Sequence, residues 1–364
     1  MISLTSKAQG KLQGSSKPYR VYVYPNVGRQ LMGSNNPYVQ HLKEAIGLHE
    51  LDIDEATTDK AFPDFLKKGL RADMVVLNWL ENLPLRRMGV LQSLIVLFYL
   101  RLLRLRGTRI VWIKHNKGTH SRKWFGLSKM IQRALIRSAD HIVTHSMDID
   151  IPDTGKLHYL PHPSNIGPEA IIRPEPAGQA EPAERTQPVI DLLIWGSLMP
   201  YKGVLEFLRH AAGDKQLSQL NIHVAGKSSD EYWQQLQQHA GPNITLVNRF
   251  ISDDELAQLF RRTRFILFTY NKRSVMSSGV LADSLAACRK IIAPHVGAFA
   301  DMAQQYSFVY LYDDFSEIAA LCRDHYDDYL LDYDKVRDFV VSNSWYNMGG
   351  KIKELTLLEP RPAN

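Results

Sequence analysis

The stretch Val189–Gly203, VIDLLIWGSLMPYKG, decides the fold that this sequence predicts. Its first seven residues are apolar apart from one aspartate, which is typical of a buried strand from Val189 to Trp195. Gly196 permits a tight turn after the strand, and Gly203 lets the backbone begin a helix close to a ligand. Residues that follow the strands of an open α/β sheet line its binding edge. The stretch therefore predicts a strand-to-helix unit of a parallel sheet, with a candidate binding loop at 196–203.

The same alternation of short apolar runs and amphipathic segments continues on both sides of this stretch. We predict strands at 19–24, 74–78, 109–114, 141–144, 189–195, 221–225, 244–247, 265–269 and 290–293. Helices are predicted at 37–46, 62–69, 90–105, 127–138, 204–212, 230–239, 253–263 and 280–287, and in the tail from 315 to 358. Residues 174–188 interrupt the pattern with Pro, Ala, Glu and Gln, which is linker composition.

The pattern predicts an α/β protein of two Rossmann-like, doubly wound domains. A chain of 364 residues is long enough for two hydrophobic cores. The predicted organisation is a disordered lead-in at 1–18, an N-terminal domain at 19–173, a linker at 174–188, a C-terminal domain at 189–340 and a helix at 341–364 that returns to the N-terminal domain.

Composition narrows the class of protein. With 45% hydrophobic and 23% charged residues, the chain has the balance of a soluble globular protein. A net charge of +6 suits phosphorylated ligands or an anionic membrane surface, and is too small an excess to indicate nucleic acid. The two cysteines, Cys288 and Cys322, lie in apolar helical patterns and imply no disulfide. The N-terminus lacks the apolar run of a secretory signal, so we expect cytoplasmic residence.

One apolar segment, Leu91–Leu105, resembles a membrane-contacting helix. It is too short to span a bilayer, which takes about 20 apolar residues. Two interpretations stay open: a buried core helix, or an interfacial helix with a basic rim. Arg86 and Arg87 just upstream favour contact with anionic head groups.

Two loops of the second half offer groups for a phosphate. Lys202 supplies a point positive charge in the loop at 196–203. The segment Ser277-Ser278-Gly279 begins a predicted helix, where backbone amides and hydroxyls favour anions, and Lys272 and Arg273 precede it. Each loop could instead be an ordinary strand-to-helix connection, with a surface lysine in the first and a plain N-cap serine in the second.

Two loops of the first half offer candidates for acid–base chemistry. His115 follows the strand 109–114, where an imidazole can act as a base or donate to a sugar. Glu81 lies beside Trp79 after another strand, and a carboxylate there can deprotonate a sugar hydroxyl. The alternatives are a structural histidine and a solvated surface glutamate. His115 and His120 have no acidic or sulfur partner nearby, so zinc is not expected.

The absence of GxSxG, HExxH, Walker-type and dinucleotide-binding motifs disfavours hydrolases, metalloproteases, ATPases and dehydrogenases. The two halves, the G-x-L-x-P-x-K-G loop at 196–203 and the helix start at 277–279 resemble GT-B glycosyltransferases of the GT4-like group. More narrowly, five motifs in this order are similar to xanthan-type exopolysaccharide β-mannosyltransferases: Asn36-Pro37-Tyr38, Asn78-Trp79-Leu80-Glu81, His115-Asn116, Pro200-Tyr201-Lys202-Gly203 and Ser278-Gly279.

The resemblance implies a GT-B fold, in which two Rossmann-like domains face a central cleft. It also implies that the second domain holds a nucleotide-diphosphate sugar and the first holds a lipid-linked glycan. It assigns donor binding to Gly196, Ser197, Lys202, Phe250, Tyr270, Lys272, Arg273, Ser277, Ser278, Gly279 and Asp283. Within this set Asp283 takes the ribose, and the base lies near Arg249, Phe250 and Ile251. The acceptor-side residues are Asn36, Tyr38, Trp79, Asn116 and His120, and the catalytic candidates are Glu81 and His115.

The sequence departs from the GT4 pattern at two places. Ser197 stands where the family usually has an arginine, and the paired glutamates correspond to Val275 and Asp283. An inverting reaction therefore fits better than a retaining one, with a carboxylate or histidine of the first domain as base. No Asp-x-Asp motif accompanies the phosphate loops, so we expect basic side chains and helix-start amides to replace a metal ion.

The leading hypothesis is thus a transferase that moves a hexose, with GDP-mannose favoured as donor, to a lipid-linked acceptor in capsule or exopolysaccharide synthesis. No cofactor is expected beyond the donor itself. The expected location is the inner face of the cytoplasmic membrane, contacted through residues 86–106. Two alternatives remain: a non-catalytic glycan- or nucleotide-binding component of an assembly complex, and a GT-B sugar epimerase or phosphorylase.

Overall fold

The computed structural model describes residues 18–27, 37–54, 56–115, 124–152, 154–173, 189–271 and 278–357. The strands are β1 (Arg20–Tyr24), β2 (Asp52–Ile53), β3 (Met74–Asn78), β4 (Arg109–Lys114), β5 (His141–Thr144), β6 (Leu157–Tyr159), β7 (Ile190–Trp195), β8 (Ile222–Ala225), β9 (Ile244–Val247), β10 (Thr263–Leu267), β11 (Ile291–Pro294) and β12 (Val309–Tyr312). The helices are α1 (Tyr38–Gly47), α2 (Ala61–Gly69), α3 (Gly89–Leu105), α4 (Phe125–Ser138), α5 (Val204–Ala211), α6 (Asp230–Gln237), α7 (Asp253–Arg261), α8 (Gly279–Ser284), α9 (Gly297–Tyr306), α10 (Ile318–Asp324), α11 (Tyr333–Ser342) and α12 (Trp345–Leu357).

The chain divides into two compact units, each with its own sheet. Unit 1 comprises Met1–His145, Asp150–Leu160 and Ser344–Asn364, and unit 2 comprises Ser146–Ile149 and Pro161–Asn343. Residues 161–173 therefore belong to unit 2, whereas the sequence places them in the N-terminal domain. The reason is local: Asp283 of α8 accepts hydrogen bonds from Asn165, and the Ile172 amide donates to the Ala286 carbonyl.

Unit 1 contains a parallel six-stranded sheet in the order β2-β1-β3-β4-β5-β6. Every residue of β3 is buried, as expected for a central strand covered on both faces. On one face, Val111 and Ile113 of β4 share a cluster with Leu42 of α1 and Ile352 of α12. Helix α12 thus contributes to the core of unit 1 although it lies at the end of the chain.

Unit 2 contains a second parallel six-stranded sheet, in the order β12-β11-β10-β7-β8-β9. Its central strand β10 sends alternate side chains to two separate clusters. Phe265 and Leu267 pack on one face with α5, and Ile266 packs on the other with α7 and α9. The carboxyl ends of β7, β8 and β10 consequently meet at one edge.

The predicted α/β fold with two parallel sheets is confirmed. Four elements were missed: the strands β2, β6 and β12, and helix α9. The missed strands lie at sheet edges and are two to four residues long, too short for their periodicity to be visible. Cys288 and Cys322 are buried free thiols, as the sequence predicts.

Helix α3, which contains the segment Leu91–Leu105, is buried on one side and exposed on the other. Val96, Leu100 and Leu103 are fully buried in unit 1, whereas other apolar side chains of the same helix are exposed. None of the helices in the described ranges is long and apolar enough to cross a membrane.

Candidate functional site

Two glycines allow the loops that follow the strands of unit 2 to pack closely against one another. Gly226, directly after β8, has a φ of +155°, and a Cβ there would lie 1.9 Å from the carbonyl oxygen of Gly196. Gly203 has a φ of +70°, and a Cβ there would lie 2.1 Å from the carbonyl oxygen of Thr269. Only glycine fits at such approaches and angles. The loops after β7, β8 and β10 therefore pack backbone against backbone.

Lys202 occupies the centre of this edge. It ends the 3₁₀ turn Pro200–Lys202, and the residue is only 7% exposed. Its Nζ lies 5.7 Å from the centroid of the Tyr270 ring, and Thr269 Oγ1 donates to its carbonyl oxygen at 2.7 Å. Within the described part of the chain its ammonium group has no carboxylate or hydrogen-bond acceptor. Burial lowers the pKa of Lys202, with a smaller opposing effect from Tyr201.

A small cavity opens beside this ammonium group. It is lined by Trp195 at the end of β7, Lys202, Thr269 and Tyr270, together with apolar residues of β7 and β10. The cavity has a volume of about 10 Å³, which is room for about one water molecule. A buried cation with no counter-charge is costly, and an anion near the ammonium group would offset that cost. The arrangement is suited to an anionic ligand at the sheet edge.

The start of α8 lies next to this cavity. Tyr270 Oη lies 3.0 Å from Oγ of Ser278, the N-cap residue of α8. Burial raises the pKa of Tyr270 to about 12, against the lowering effect of Ser278, so the phenol keeps its proton at neutral pH. Both residues were predicted for the donor, and the structure brings them together with Lys202.

The sequence analysis missed His162. A Cβ on Gly279 would lie 3.1 Å from its Cε1, so the imidazole rests against the first residue of α8. Its Nδ1 lies 2.8 Å from the carbonyl oxygen of Pro163, and burial lowers its pKa to about 4, which keeps the ring neutral. The signal in the sequence was Pro161-His162-Pro163, in which two prolines restrict the backbone on both sides of a polar ring.

Asp283 has partners within the protein. Its Oδ1 accepts from the Asn165 amide at 2.7 Å and from Ser164 Oγ at 3.2 Å, and its Oδ2 accepts from Asn165 Nδ2 at 2.9 Å. Asp283 therefore anchors residues 164–165 to α8. The assignment of the Asp283 carboxylate to ribose binding stays a prediction. A ribose hydroxyl that bonded to this carboxylate would share the carboxylate with Asn165.

The remaining donor residues lie at the surface. Phe250 is 73% exposed, and Ser197 is exposed. Arg249 forms a bidentate ion pair with Glu255, with Nη1 to Oε2 at 2.6 Å. The prediction that the base lies near these side chains is untested. Six predicted residues lie outside the described ranges: Asn36, Asn116, His120, Lys272, Arg273 and Ser277.

In unit 1 an aromatic cluster forms where β3, β4 and β5 end. The His115 ring stacks on Trp79 at 4.3 Å and meets Tyr38 edge-on at 4.6 Å. Tyr38 Oη lies 2.7 Å from Nε2 of His145, a residue that the sequence analysis did not select. The predicted residues Tyr38, Trp79 and His115 are therefore in direct contact.

Hydrogen bonds set the ring tautomers in this cluster. The Asn78 Nδ2 donates to the Tyr24 carbonyl, so its Oδ1 faces His115 Nε2 at 2.9 Å and accepts a hydrogen bond from it. His145 Nδ1 lies 2.7 Å from the Leu160 carbonyl and donates to it, so Nε2 accepts from Tyr38. Asn78 thus orients the His115 ring. Like His145, it was not selected as a candidate from the sequence.

Glu81 lies apart from this cluster. It is 5% exposed, in the 3₁₀ helix Leu80–Leu85, and neither carboxylate oxygen has a hydrogen-bond partner among the described residues. Burial raises its pKa, while Lys114 and Trp112 act in the opposite direction. The side chains of Trp112 and Lys114 project from β4 on one face of the sheet. His115, one residue further on, projects on the other face, since successive residues of a strand alternate. The two catalytic candidates therefore lie on different faces of the sheet.

No group of three or more metal-binding side chains occurs within the described ranges. The structure thus offers two sets of groups. Unit 2 holds a buried, unpaired cation beside a small cavity, and unit 1 holds a hydrogen-bonded aromatic cluster and a buried carboxyl group with a raised pKa.

No protein-family model matches the sequence, and no curated protein matches it. Solved structures do resemble it. Sucrose-phosphate synthase from Thermosynechococcus elongatus matches with a TM-score of 0.64 and 13% identity, over 93% of this chain and 98% of that one. Anabaena HepE, in complex with UDP and glucose, matches with a TM-score of 0.63 and 8% identity, over 93% and 99% of the two chains.

The lipopolysaccharide outer core galactosyltransferase WaaB, in its apo form, matches with a TM-score of 0.57 and 12% identity, over 93% of this chain and 99% of that one. At such identities the likeness is one of fold. The chain has the GT-B fold of glycosyltransferases, with two parallel six-stranded sheets.

Proposed function

We propose that this protein is a glycosyltransferase that takes a hexose from a nucleotide-diphosphate sugar. The single observation that carries the proposal is Lys202, a buried lysine with no anionic partner within the described residues, at the strand edge of unit 2. The diphosphate of the donor would supply the missing negative charge. Helix-start groups at Ser278 and Gly279 would add donors for the phosphate oxygens.

The structural neighbours support the same class of donor. HepE was solved with UDP and also with UDP-glucose. We extend nucleotide-sugar binding to this chain because Lys202 and Tyr270 follow strands of the second sheet, the edge at which open α/β sheets bind ligands. The resemblance to β-mannosyltransferases favours GDP-mannose as the donor.

We assign the acceptor to unit 1, with inversion at the transferred carbon. Glu81 is the preferred base, because a carboxyl group whose pKa is raised by burial approaches the range in which a base works at neutral pH. His115, held by Asn78, is the alternative base. No metal is required in this proposal, since Lys202 would stabilise the leaving diphosphate.

The proposed acceptor is a lipid-linked glycan of capsule or exopolysaccharide synthesis, met at the inner face of the cytoplasmic membrane. The proposed contact is the 86–106 segment. Exposed apolar side chains on α3 and the arginines near both of its ends support this location.

A panel of GDP-, UDP- and TDP-sugars tests the proposal. We expect one donor to raise the melting temperature of the full chain, since binding stabilises the folded state. Lys202→Met should weaken that donor by roughly 10- to 100-fold, the range for one hydrogen bond to a charged group. Isothermal titration calorimetry measures the affinity directly.

Lys215→Met is the matched control, because Lys215 is an exposed lysine of the same unit and should bind the donor normally. If the chain binds no nucleotide sugar, or if both variants behave alike, the proposal is wrong. If a donor binds but is neither transferred to membrane extract nor hydrolysed, the chain is a binding component and not a transferase.

A further inference from the structure

Helix α3 exposes a continuous apolar stripe. Met88 precedes the helix, and Leu91, Leu94 and Phe98 follow it at intervals of three or four residues, all of them exposed. Phe98 is 70% exposed. This spacing puts the side chains on one side of the helix, opposite the buried face. The stripe is therefore an apolar surface that the fold of unit 1 does not cover.

Helix α4 extends the stripe into a broader surface. Its N-terminus contributes Trp124 and Phe125, both about half exposed. Trp124 lines the same open groove as Met88, Leu91 and Leu94, so α3 and α4 form one surface. Among the described residues, 10 of the 21 large exposed apolar side chains lie between positions 85 and 130. We call this surface the apolar face; its members are Met88, Leu91, Leu94, Phe98 and Trp124.

The segment of sequence that carries the apolar face has charges of one sign. The 58 residues at 82–139 contain 13 lysines and arginines and no aspartate or glutamate. Because the whole chain has a net charge of +6, the remaining residues have a net charge of −7. Exposed arginines flank the stripe at both ends, with Arg86 and Arg87 before α3 and Arg101 and Arg106 near its end. The segment that carries the exposed apolar side chains therefore also carries the excess positive charge of this protein.

We infer that the apolar face, including α4 as well as α3, inserts into the interfacial layer of an anionic phospholipid bilayer. Helix α3 lies flat in the layer, since 17 residues at about 1.5 Å each are too short to span it. The flanking arginines reach the phosphates while their stems stay among apolar groups. The inference deepens the membrane contact proposed above for residues 86–106, and it rests on the proposed function for the lipid-linked acceptor that this contact would bring to unit 1.

A bilayer fits this surface better than other partners do. A nucleic acid would use the cations but leave Leu94, Phe98 and Trp124 in water. A protein partner would have to match a wide apolar area and a ring of cations with no acid among them. An anionic bilayer supplies apolar chains beneath a layer of negative charge, which matches both features.

Cosedimentation of the full chain with lipid vesicles tests the inference. We expect binding to vesicles that contain phosphatidylglycerol, weak binding to pure phosphatidylcholine, and release by high salt. Leu94→Asp/Phe98→Asp should reduce binding at least tenfold. Arg101→Glu/Arg106→Glu should reduce it by about 100-fold or more, at about fivefold for each unit of charge near the surface.

Matched controls keep the test independent of folding. Leu48→Asp replaces a side chain of unit 1 that is 66% exposed but lies outside the apolar face. Lys335→Glu/Arg337→Glu makes the same charge change on α11. Both controls should bind vesicles like the wild type.

The inference is overturned if the wild type binds no vesicles, if pure phosphatidylcholine binds equally well, or if the controls lose binding as the test variants do. It is also overturned if RNA competes fully and Leu94→Asp/Phe98→Asp still binds RNA, which would make the face a nucleic-acid site. Donor-induced thermal shifts are measured on the same preparations. A normal shift without vesicle binding removes this inference and the proposed membrane contact, and leaves the proposed nucleotide-sugar binding by unit 2 intact.

Discussion

The carboxyl edges of the two sheets differ in how they satisfy their polar groups. At the edge of unit 1, Asn78, His115, Tyr38 and His145 bond to one another or to backbone carbonyls. At the edge of unit 2, the ammonium group of Lys202 is buried without a counter-charge among the described residues. The same layer architecture therefore carries a pre-organised network in one unit and an unsatisfied cation in the other.

This difference indicates different tasks. A network that satisfies itself holds ring orientations before any ligand arrives, which suits positioning of an acceptor hydroxyl. An unsatisfied buried cation reduces the stability of the empty protein and increases affinity for an anion. Glu81 is the exception in unit 1, because its carboxyl group is buried without a hydrogen-bond partner in the described ranges.

The largest effect is expected at Glu81. If Glu81 is the base, Glu81→Gln should lower turnover by about 10²- to 10⁴-fold with donor affinity unchanged.

The same variant, Glu81→Gln, also tests whether burial raises the pKa of Glu81. A carboxyl group with a raised folded-state pKa contributes stability below its ordinary value of 4.5, and this contribution is lost as pH rises through the folded-state pKa. Urea unfolding from acid to neutral pH should show that loss in the wild type and not in Glu81→Gln.

Glu44→Gln is the control for this pair of measurements, because Glu44 is an exposed glutamate of the same unit. Retention of full turnover by Glu81→Gln would transfer the role of base to His115.

The next effect concerns the stability of unit 2. Because burial lowers the pKa of Lys202, the folded state disfavours the charged form, and stability should rise with pH from the folded-state pKa towards 10.5. Lys202→Met should therefore stabilise the empty protein at neutral pH, by up to about 2 kcal/mol, or a few degrees in melting temperature. Differential scanning calorimetry without ligand checks this, and a clear loss of stability would show that Lys202 has a structural role.

A smaller effect is expected from Asn78, which positions His115 and touches no proposed substrate. Asn78→Ala should reduce turnover about tenfold, because the imidazole loses the acceptor that holds its tautomer. Donor affinity should not change. Asn78→Asp keeps an acceptor, so it should recover part of the turnover. If His115 is the base, the added carboxylate also favours the protonated ring and should move the lower limb of the pH–rate profile to higher pH. Identical pH profiles in all three proteins would exclude His115 as the base.

The smallest effect separates two roles of Asp283. If this carboxylate only anchors residues 164–165, Asp283→Asn and Asn165→Ala should each lower stability by about 1–2 kcal/mol and change donor affinity by no more than a few fold. If it also binds ribose, Asp283→Asn alone should weaken a ribonucleotide donor further. Calorimetric titration of both variants with the same nucleoside diphosphate distinguishes the two outcomes.

The regular elements were largely predictable from the sequence. Central strands such as β3 and β10 are buried on both faces, so their apolar runs stand out. Short edge strands such as β2 and β6 have too few residues for a visible pattern. The boundary near 161 was also missed, because it depends on the bonds between Asn165 and Asp283, 118 positions apart.

Part of the candidate site could be predicted as well. Lys202 and His115 follow recognisable strands, and the strand-end rule selects them without further information. His145 and His162 were missed. His145 directly follows the end of strand β5, one residue beyond Thr144, and only its contact with Tyr38 distinguishes it from a structural histidine.

By itself the sequence determined the α/β architecture of two parallel sheets, since periodicity and turn residues are local properties of the chain. Only the tertiary structure decided which polar groups find partners. It leaves Lys202 and Glu81 buried without an ion pair or hydrogen bond in the described ranges, it connects Asp283 to Asn165, and it turns half of α3 outward. The physical reason is that the burial and the pairing of a charged group depend on residues far apart in the chain. Burial and pairing change the free energy of that charge far more than its sequence neighbours do.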